Sequence, residues 1–90
     1  MEDIKENVRN FIFKTLRNEW KDNDDILESG AITSLFSMQL ILFLERNFDI
    51  HLDRNDLNNE NFRSINSITL LVERKVKEEK WKKKVYLEKK

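Results

Sequence analysis

The sequence offers few side chains that could perform chemistry. It contains no cysteine, so it has no disulfide, thiolate metal site or cysteine nucleophile, and its single histidine, His51, cannot form a paired-histidine metal site. Its single glycine, Gly30, excludes the glycine-rich loops that bind phosphate groups. The acids of residues 22–28 lack the glycine and the final glutamate of an EF-hand calcium loop. A triad of Ser34, His51 and Asp53 exists in composition only, so the sequence predicts no catalytic residue and no metal site.

Ser34 remains as a candidate, because it lies where an acidic loop meets an apolar segment. Either Thr33 or Ser34 can cap a helix that begins here. The first amides of a helix have no carbonyl partner, and together with the helix dipole they favour a negatively charged group. Taken alone, however, a serine at this position is typical of an ordinary helix cap.

The elements that must position Ser34 are predicted to be helical. The chain has 90 residues, no proline and 38% charged residues, which favours one small all-α domain over a sandwich or barrel. No apolar run approaches the roughly 20 residues that span a bilayer, and the chain does not open on a basic targeting segment, so we expect a soluble, cytoplasmic protein. Residues 1–72 hold 8 Lys or Arg against 13 Asp or Glu, whereas residues 73–90 hold 9 against 4. An acidic body therefore carries a basic tail.

Hydrophobic periodicity predicts three main helices and one short helical turn. In chain order the predicted elements are a helix over 2–18, a long loop over 19–33, a helix over 33–48, a polar segment over 49–63 with a short helical turn near 54–57, and a last helix from Ser64 to about Val76. The remaining Lys-rich tail, 77–90, keeps some helical spacing at Trp81, Val85 and Tyr86. We expect the last helix either to extend or to fray there.

The second predicted helix is apolar on nearly all sides, which is more than one packed face requires. Leu35, Met38 and Leu42 follow one another at spacings of three and four and form a stripe outside the predicted core face. This stripe either binds a partner or packs against the long loop and the tail. The residues assigned to the core face are Leu40, Phe43 or Leu44, and Phe48.

The stretch from Ser29 to Leu40, followed by Leu44 to Ile50, resembles the centre of an acyl carrier protein. That family has a loop that ends in an Asp-Ser-Leu motif, an aliphatic helix after it, and a last helix introduced by a short hydroxyl-containing segment. Here the motif reads Thr33-Ser34-Leu35, and Asn61-Phe62-Arg63-Ser64-Ile65 lies where the last helix should begin. The resemblance covers roughly residues 24–72 and points to stand-alone carriers of polyketide and mixed peptide pathways.

The resemblance implies a small antiparallel four-helix bundle with a long first loop and a short third helix, in which residues 1–76 form the carrier domain. It implies that Ser34 carries a 4′-phosphopantetheine arm, derived from coenzyme A, that holds an acyl or aminoacyl thioester. The implied partners are a phosphopantetheinyl transferase, an enzyme that loads the cargo, and downstream synthase or tailoring enzymes. The protein would be their substrate and not itself an enzyme. We expect a monomer with no nucleic-acid or membrane partner.

Two features depart from the family pattern. Thr33 replaces the usual aspartate and removes a charge that modifying or partner enzymes could use, although threonine still caps a helix. The second helix also has few acids, so we expect partner contacts to depend on apolar burial more than on charge. The predicted partner face consists of Thr33, Leu35, Phe36, Met38, Gln39, Leu42 and Glu45.

Two other functions remain open. An interaction module could keep this fold without the arm. A basic-tailed binder of nucleic acid or of a membrane surface would use Trp81 and the lysines of the tail, but the acidic body argues against it.

Overall fold

The computed structural model describes residues 3–30 and 32–88, and within them the side chains as far as Lys82. These ranges contain α-helices, one 3-10 turn and no strand, which confirms the all-α fold class. The elements in chain order are α1 (Ile4–Leu16), α2 (Ser34–Phe48), the 3-10 turn (Arg54–Asp56) and α3 (Ile65–Glu88). No helix in this described part of the chain is long and apolar enough to cross a membrane.

The expected short third helix is a single 3-10 turn, so the described residues contain three α-helices and the four-helix bundle is not confirmed. Asp53 and Asp56 close this turn as a capping box. The Asp53 carboxylate accepts hydrogen bonds from the amides of Asn55 and Asp56, and the Asp56 carboxylate accepts one from the Asp53 amide at 2.9 Å. The surrounding segment is polar and offers no apolar residues at helical spacing that would extend the turn.

Local caps determine where α1 begins and ends. Asp3 at the N-cap accepts a hydrogen bond from the Glu6 amide at 3.3 Å. At the other end Arg17 adopts a left-handed conformation with φ of 59°, and its amide donates to the Phe13 carbonyl at 2.8 Å. These caps confine α1 within the predicted range 2–18, of which Glu2 lies outside the described residues.

The core lies between the three helices and includes buried side chains from the loops. On α3 the buried residues recur at spacings of three and four, so one face of its first half packs on the body. The buried apolar residues are Val8 and Ile12 of α1, Phe36, Leu40 and Leu44 of α2, Ile65, Ile68, Leu71 and Val72 of α3, and Ile26, Ile50 and Leu52 of the connecting segments.

Hydrogen bonds to the start of α3 hold the long first loop. The Ile26 amide donates to the Arg63 carbonyl at 2.8 Å, and the Asn66 amide donates to the Asp22 carbonyl at 3.0 Å. Arg9 of α1 adds a bidentate ion pair with the Asp22 carboxylate, with both oxygens 3.0 Å from its Nη2. Because Ile26 is also buried, residues 22–26 of the loop are held against α1 and the start of α3.

A second ion pair joins the first loop to the segment before α3. The Glu28 amide donates a hydrogen bond to the Asp25 carboxylate at 2.9 Å, and Arg63 Nη1 lies 2.9 Å from Asp25 Oδ2. The amide, together with the Arg63 guanidinium, holds the pKa of Asp25 below its ordinary value. Asp25 is therefore ionised at neutral pH, although a pair with this degree of exposure contributes little stability.

Lys75 is a buried cation that joins α3 to the 3-10 turn. It is 5% exposed, and its Nζ lies 3.0 Å from Asp56 Oδ2 and 3.2 Å from Glu78 Oε2. Burial lowers the pKa of Lys75, but the two carboxylates outweigh burial and leave this pKa above its ordinary value. Burial likewise raises the pKa of Asp56, but the Asp53 amide and the Lys75 ammonium leave it below its ordinary value. Both groups are therefore charged at neutral pH.

The second half of α3 extends beyond the core. Burial along the helix stops at Lys75, and Val76 is half-buried. The helix continues to Glu88, which adds 12 residues or about 18 Å of helix. The basic tail therefore extends the last helix as far as Glu88, while Lys89 and Lys90 and the side chains of Val85 and Tyr86 lie outside the described part.

Two leucines of α2, one buried and one exposed, allow a matched test of how this helix packs against the core. Leu40 is 2% exposed and Leu35 is 65% exposed on the same helix. We expect Leu40→Ala to lower the free energy of unfolding by about 2–5 kcal/mol, because it removes buried methyl groups and leaves a cavity. Leu35→Ala should change it by less than about 0.5 kcal/mol. Urea unfolding followed by circular dichroism measures both, and equal losses would show that α2 does not pack as described.

Asp56→Asn tests the buried ion pair. We expect the free energy of unfolding at pH 7 to fall by about 1–3 kcal/mol, because Lys75 loses one of two carboxylate partners. Since the folded-state pKa of Asp56 is lowered, its contribution is fully present above the unfolded-state pKa and is lost as the pH falls through the folded-state value. Urea unfolding between pH 7 and pH 2 should therefore show the difference from wild type shrinking below about pH 4.

A control for this comparison is Glu60→Gln, which alters an exposed carboxylate on the same connecting segment. It should leave stability nearly unchanged at every pH. The assigned ion pair would be contradicted if the difference in the free energy of unfolding between wild type and Asp56→Asn stayed constant across the whole pH range.

Candidate functional site

The candidate site is the first turn of α2, where Thr33 and not Ser34 is the N-cap. Thr33 Oγ1 accepts a hydrogen bond from the Phe36 amide at 3.1 Å, and the Thr33 carbonyl accepts one from the Ser37 amide at 2.9 Å. The sequence left the choice of cap open between the two residues. Because Thr33 makes the capping bond, Ser34 is the first residue within the helix and is exposed, with no capping role.

The electrostatics of this helix end favour an anion. α2 has no acid in its first turn, so no side-chain carboxylate neutralises the positive end of the helix dipole there. The amides of the first turn have no carbonyl one turn earlier, and the Thr33 hydroxyl satisfies only that of Phe36. A negatively charged group attached to the Ser34 hydroxyl would lie beside these amides, so the residues present fit a phosphodiester.

The loop before this turn depends on Gly30. Gly30 has φ of +79°, in the region that side-chain-bearing residues rarely adopt, and its amide donates to the Leu27 carbonyl at 3.2 Å. No atom lies within 4 Å of the position that a Cβ would occupy, so the glycine is needed for the backbone conformation and not for space. Ala31, which follows, lies outside the described residues.

The predicted stripe of α2 is exposed. Leu35, Met38 and Leu42 are 65%, 60% and 46% exposed, and they lie on one side of the helix. Within the described part of the chain, neither the long loop nor the tail covers these residues. Of the other residues assigned to the partner face, Thr33 and Gln39 are exposed, whereas Glu45 is half-buried and its carboxylate accepts a hydrogen bond from the Leu52 amide at 2.9 Å.

Phe36 corrects the predicted partner face, because it belongs to the core. It is 4% exposed and its ring lies 6.2 Å from that of Phe11. The core face of α2 uses Phe36, Leu40 and Leu44 at a constant spacing of four, whereas the prediction began this face at Leu40 and ended it at Phe48. Phe48 is half-buried at the end of the helix.

An apolar cleft of about 190 Å³ lies beside the start of α2. Its walls come from the first loop, α2 and the segment after the 3-10 turn, and Ile32 and Ser37 bring it close to Ser34 in the chain. Ligand pockets are usually about 300–1,000 Å³, so this cleft could enclose only a small apolar group. No local sequence pattern predicts the cleft, because its walls come from segments that lie apart in the chain. The apolar residues that line it are Leu27, Ile32, Phe36, Leu40, Ile41, Leu57 and Phe62.

The other residues considered for chemistry have structural roles. His51 is exposed and its Nδ1 lies 3.5 Å from Glu45 Oε2. The Asp53 carboxylate caps the 3-10 turn and so does not orient a histidine as a triad requires. Among the described residues, no group of three or more His, Asp or Glu side chains could hold a metal ion.

Comparison of the chain with models of known protein families gives no match, and a search of curated proteins finds none with significant similarity.

Thr33→Val tests the cap, because valine keeps the shape of threonine and lacks its hydroxyl. We expect the free energy of unfolding to fall by about 1 kcal/mol, since the Phe36 amide loses its acceptor. Ser34→Ala is the matched control and should change stability by less than about 0.5 kcal/mol. Thermal and urea unfolding measure both variants, and a larger loss in Ser34→Ala than in Thr33→Val would reassign the cap to Ser34.

Proposed function

We propose that this protein is a discrete acyl or aminoacyl carrier protein that bears a 4′-phosphopantetheine arm on Ser34. It delivers a thioester intermediate between biosynthetic enzymes of polyketide or mixed peptide metabolism. In this proposal the 3-10 turn (Arg54–Asp56) takes the place of the short third helix of the four-helix carrier fold. Residues 1–76 form the carrier domain. A cytoplasmic location is part of the proposal.

The observation that carries the proposal is the exposed Ser34 at the first residue of α2. It stands within the Thr33-Ser34-Leu35 motif, at the end of a long loop, as in the carrier family. Because Thr33 caps the helix, Ser34 can be modified without loss of the capping hydrogen bond. Thr33 can therefore replace the aspartate of the family motif and still cap the helix.

The role of the chain is to present a hydroxyl and to hold the product in place. The Ser34 hydroxyl is accessible to a separate transferase, which supplies the metal and the base that activate it. The arm supplies a terminal thiol on which the cargo is held as a thioester. The amides at the start of α2 stabilise the negative charge of the phosphodiester, and the neutral first turn adds no repulsion. The protein itself is a substrate and not a catalyst in this scheme.

The exposed residues of α2 are the proposed contacts for partner enzymes. Leu35, Met38 and Leu42 would bury apolar area against a phosphopantetheinyl transferase, a loading enzyme and downstream synthase or tailoring enzymes. Thr33 and Gln39 lie at the edge of this surface. Because α2 has no acid before Glu45, these contacts should depend little on salt concentration.

Intact-mass spectrometry tests the proposed attachment. Incubation with a broad-specificity phosphopantetheinyl transferase, coenzyme A and Mg²⁺ should add one phosphopantetheinyl group to the wild type and none to Ser34→Ala. Ser37→Ala, which alters the next serine of the same helix, is the matched control and should be modified like the wild type. A wild type that several transferases leave unmodified would instead support an interaction module without an arm, and modification of Ser34→Ala would place the arm elsewhere.

A further inference from the structure

The basic end of α3, which begins at Lys77, is a helical surface without a packed neighbour in the described part of the chain. None of residues 77–82 is buried, and Trp81 is 63% exposed. An isolated helix of about 12 residues is marginally stable in water, so this end gains from contact with another surface. A contact that covers Trp81 would bury a large apolar area.

The positive charge of this end is not compensated locally. Lys77, Lys80 and Lys82 are exposed, and none of them forms an ion pair with a described side chain. The Glu78 carboxylate is instead paired with Lys75 at 3.2 Å. In the sequence, residues 73–90 hold 9 Lys or Arg against 4 Asp or Glu. A surface with several unpaired ammonium groups attracts an anionic partner.

The acids of the first loop lie at the opposite end of α3. Residues 19–33 hold five of the 13 acids of residues 1–72. The Asp22 carbonyl accepts a hydrogen bond from the Asn66 amide at the start of the helix. Trp81 is 15 residues farther along, or about 22 Å. Charges are screened over about 8 Å at physiological ionic strength, so the acids of this loop do not repel an anion bound at Trp81.

Apolar and basic side chains share one side of α3. Leu70 is 64% exposed and precedes Trp81 by 11 residues, which is close to three whole turns. Arg74 and Lys77 follow Leu70 by four and seven residues, and both are exposed. At these spacings the four residues lie on nearly the same side of the helix, over about 16 Å. This side therefore has an apolar residue at each end and two cations between them.

This order of side chains fits the surface of an anionic bilayer better than it fits other anionic partners. A protein groove that binds a helix takes apolar residues four and seven positions after the first, where this helix has Arg74 and Lys77. A nucleic acid would pair its phosphates with the cations but leave Leu70 in water. At a bilayer surface, apolar side chains enter the headgroup region while long basic side chains keep their charge beside the lipid phosphates.

The two apolar residues are not equivalent, because their surroundings differ in charge. Asp3 and Glu73 line the depression beside Leu70 together with Lys5, so this region has mixed charge and attracts an anion weakly. The attraction comes instead from the lysines around Trp81. Trp81 is therefore the main contact and Leu70 a secondary one.

We propose that α3 binds the surface of an anionic bilayer through its basic end. Trp81 enters the headgroup region, and Lys77, Lys80 and Lys82 lie close to the anionic lipid groups. The binding is peripheral and does not depend on modification of Ser34. From the sequence we expected no membrane partner because the body is acidic, but the acidic first loop lies at the opposite end of α3 from Trp81.

Sedimentation with sucrose-loaded lipid vesicles tests the proposal on the unmodified full chain. We expect binding to vesicles of about 70% phosphatidylcholine and 30% phosphatidylserine, and none to vesicles of phosphatidylcholine alone. Binding should weaken as the NaCl concentration rises from about 0.05 M to 0.5 M, because salt screens the attraction between lysines and lipid.

Variants of the basic end identify the contacts. Trp81→Ala should lower the partition coefficient roughly tenfold or more, because the indole is the main apolar contact. Lys77→Gln combined with Lys80→Gln should lower it roughly tenfold or more, since each cation near an anionic surface contributes on the order of fivefold. The matched control is Lys14→Gln combined with Lys21→Gln, which removes two exposed lysines near the start of α3. It should bind within about twofold of the wild type.

Tryptophan fluorescence shows which residue enters the bilayer. In Trp20→Phe the only indole is that of Trp81, and its emission should shift to shorter wavelength when the phosphatidylserine vesicles are added. In Trp81→Phe the remaining indole belongs to Trp20, which is half-buried in the first loop, and its emission should not shift. Circular dichroism of each variant verifies that it is folded.

A chain that leaves the phosphatidylserine vesicles unbound at low salt would overturn the proposal. So would binding that Trp81→Ala does not weaken, or binding that the two double lysine variants weaken equally, since that result would assign it to net charge alone. Binding of a single-stranded thymidine oligonucleotide or of polyglutamate, without binding of the vesicles, would assign the surface to a nucleic acid or to an acidic protein instead.

Discussion

The hydrogen bonds between the first loop and the start of α3 are the constraint on which the rest of the structure depends. They join residues about 40 positions apart through the Ile26 amide with the Arg63 carbonyl and the Asn66 amide with the Asp22 carbonyl. A long loop with a single glycine would otherwise retain much conformational freedom. Because its path is held at these points, the chain reaches Thr33 in the orientation that begins α2 and leaves Ser34 at the surface.

The two sides of α2 have different roles: one side packs in the core, and the other side is exposed to solvent. One side buries Phe36, Leu40 and Leu44 against the rest of the core, and its loss would cost several kcal/mol. The other side leaves leucine and methionine in water, where they add nothing to the fold. Contiguous exposed apolar residues of this kind are typical of interaction surfaces. The first turn of α2 lies at one end of the helix, so a group attached to Ser34 there can reach a partner without disturbing the core.

Lys75 marks the end of the core along α3. A buried ammonium is costly unless it is paired, and here two carboxylates and the capping box of the 3-10 turn surround it. The pair holds the segment that forms one wall of the apolar cleft, because Leu57 directly follows Asp56. Val76, the next residue, still packs against the core, but none of residues 77–82 is buried, and the helix changes there from apolar to basic.

The sequence by itself determined the all-α class, the approximate extents of α1 and α2, the approximate start of α3, and the placement of Leu35, Met38 and Leu42 in one stripe along α2. These follow from composition and from spacings within a few residues, which act locally. Only the tertiary structure decided that Phe36 turns inward against Phe11, because the register of a helix whose apolar residues lie all round is set by what packs on it. Tertiary contacts likewise decided that the stripe of Leu35, Met38 and Leu42 is left exposed, that Lys75 is buried, and that a cleft forms beside the start of α2. Each of these depends on residues far apart in the chain, about which a local pattern contains no information.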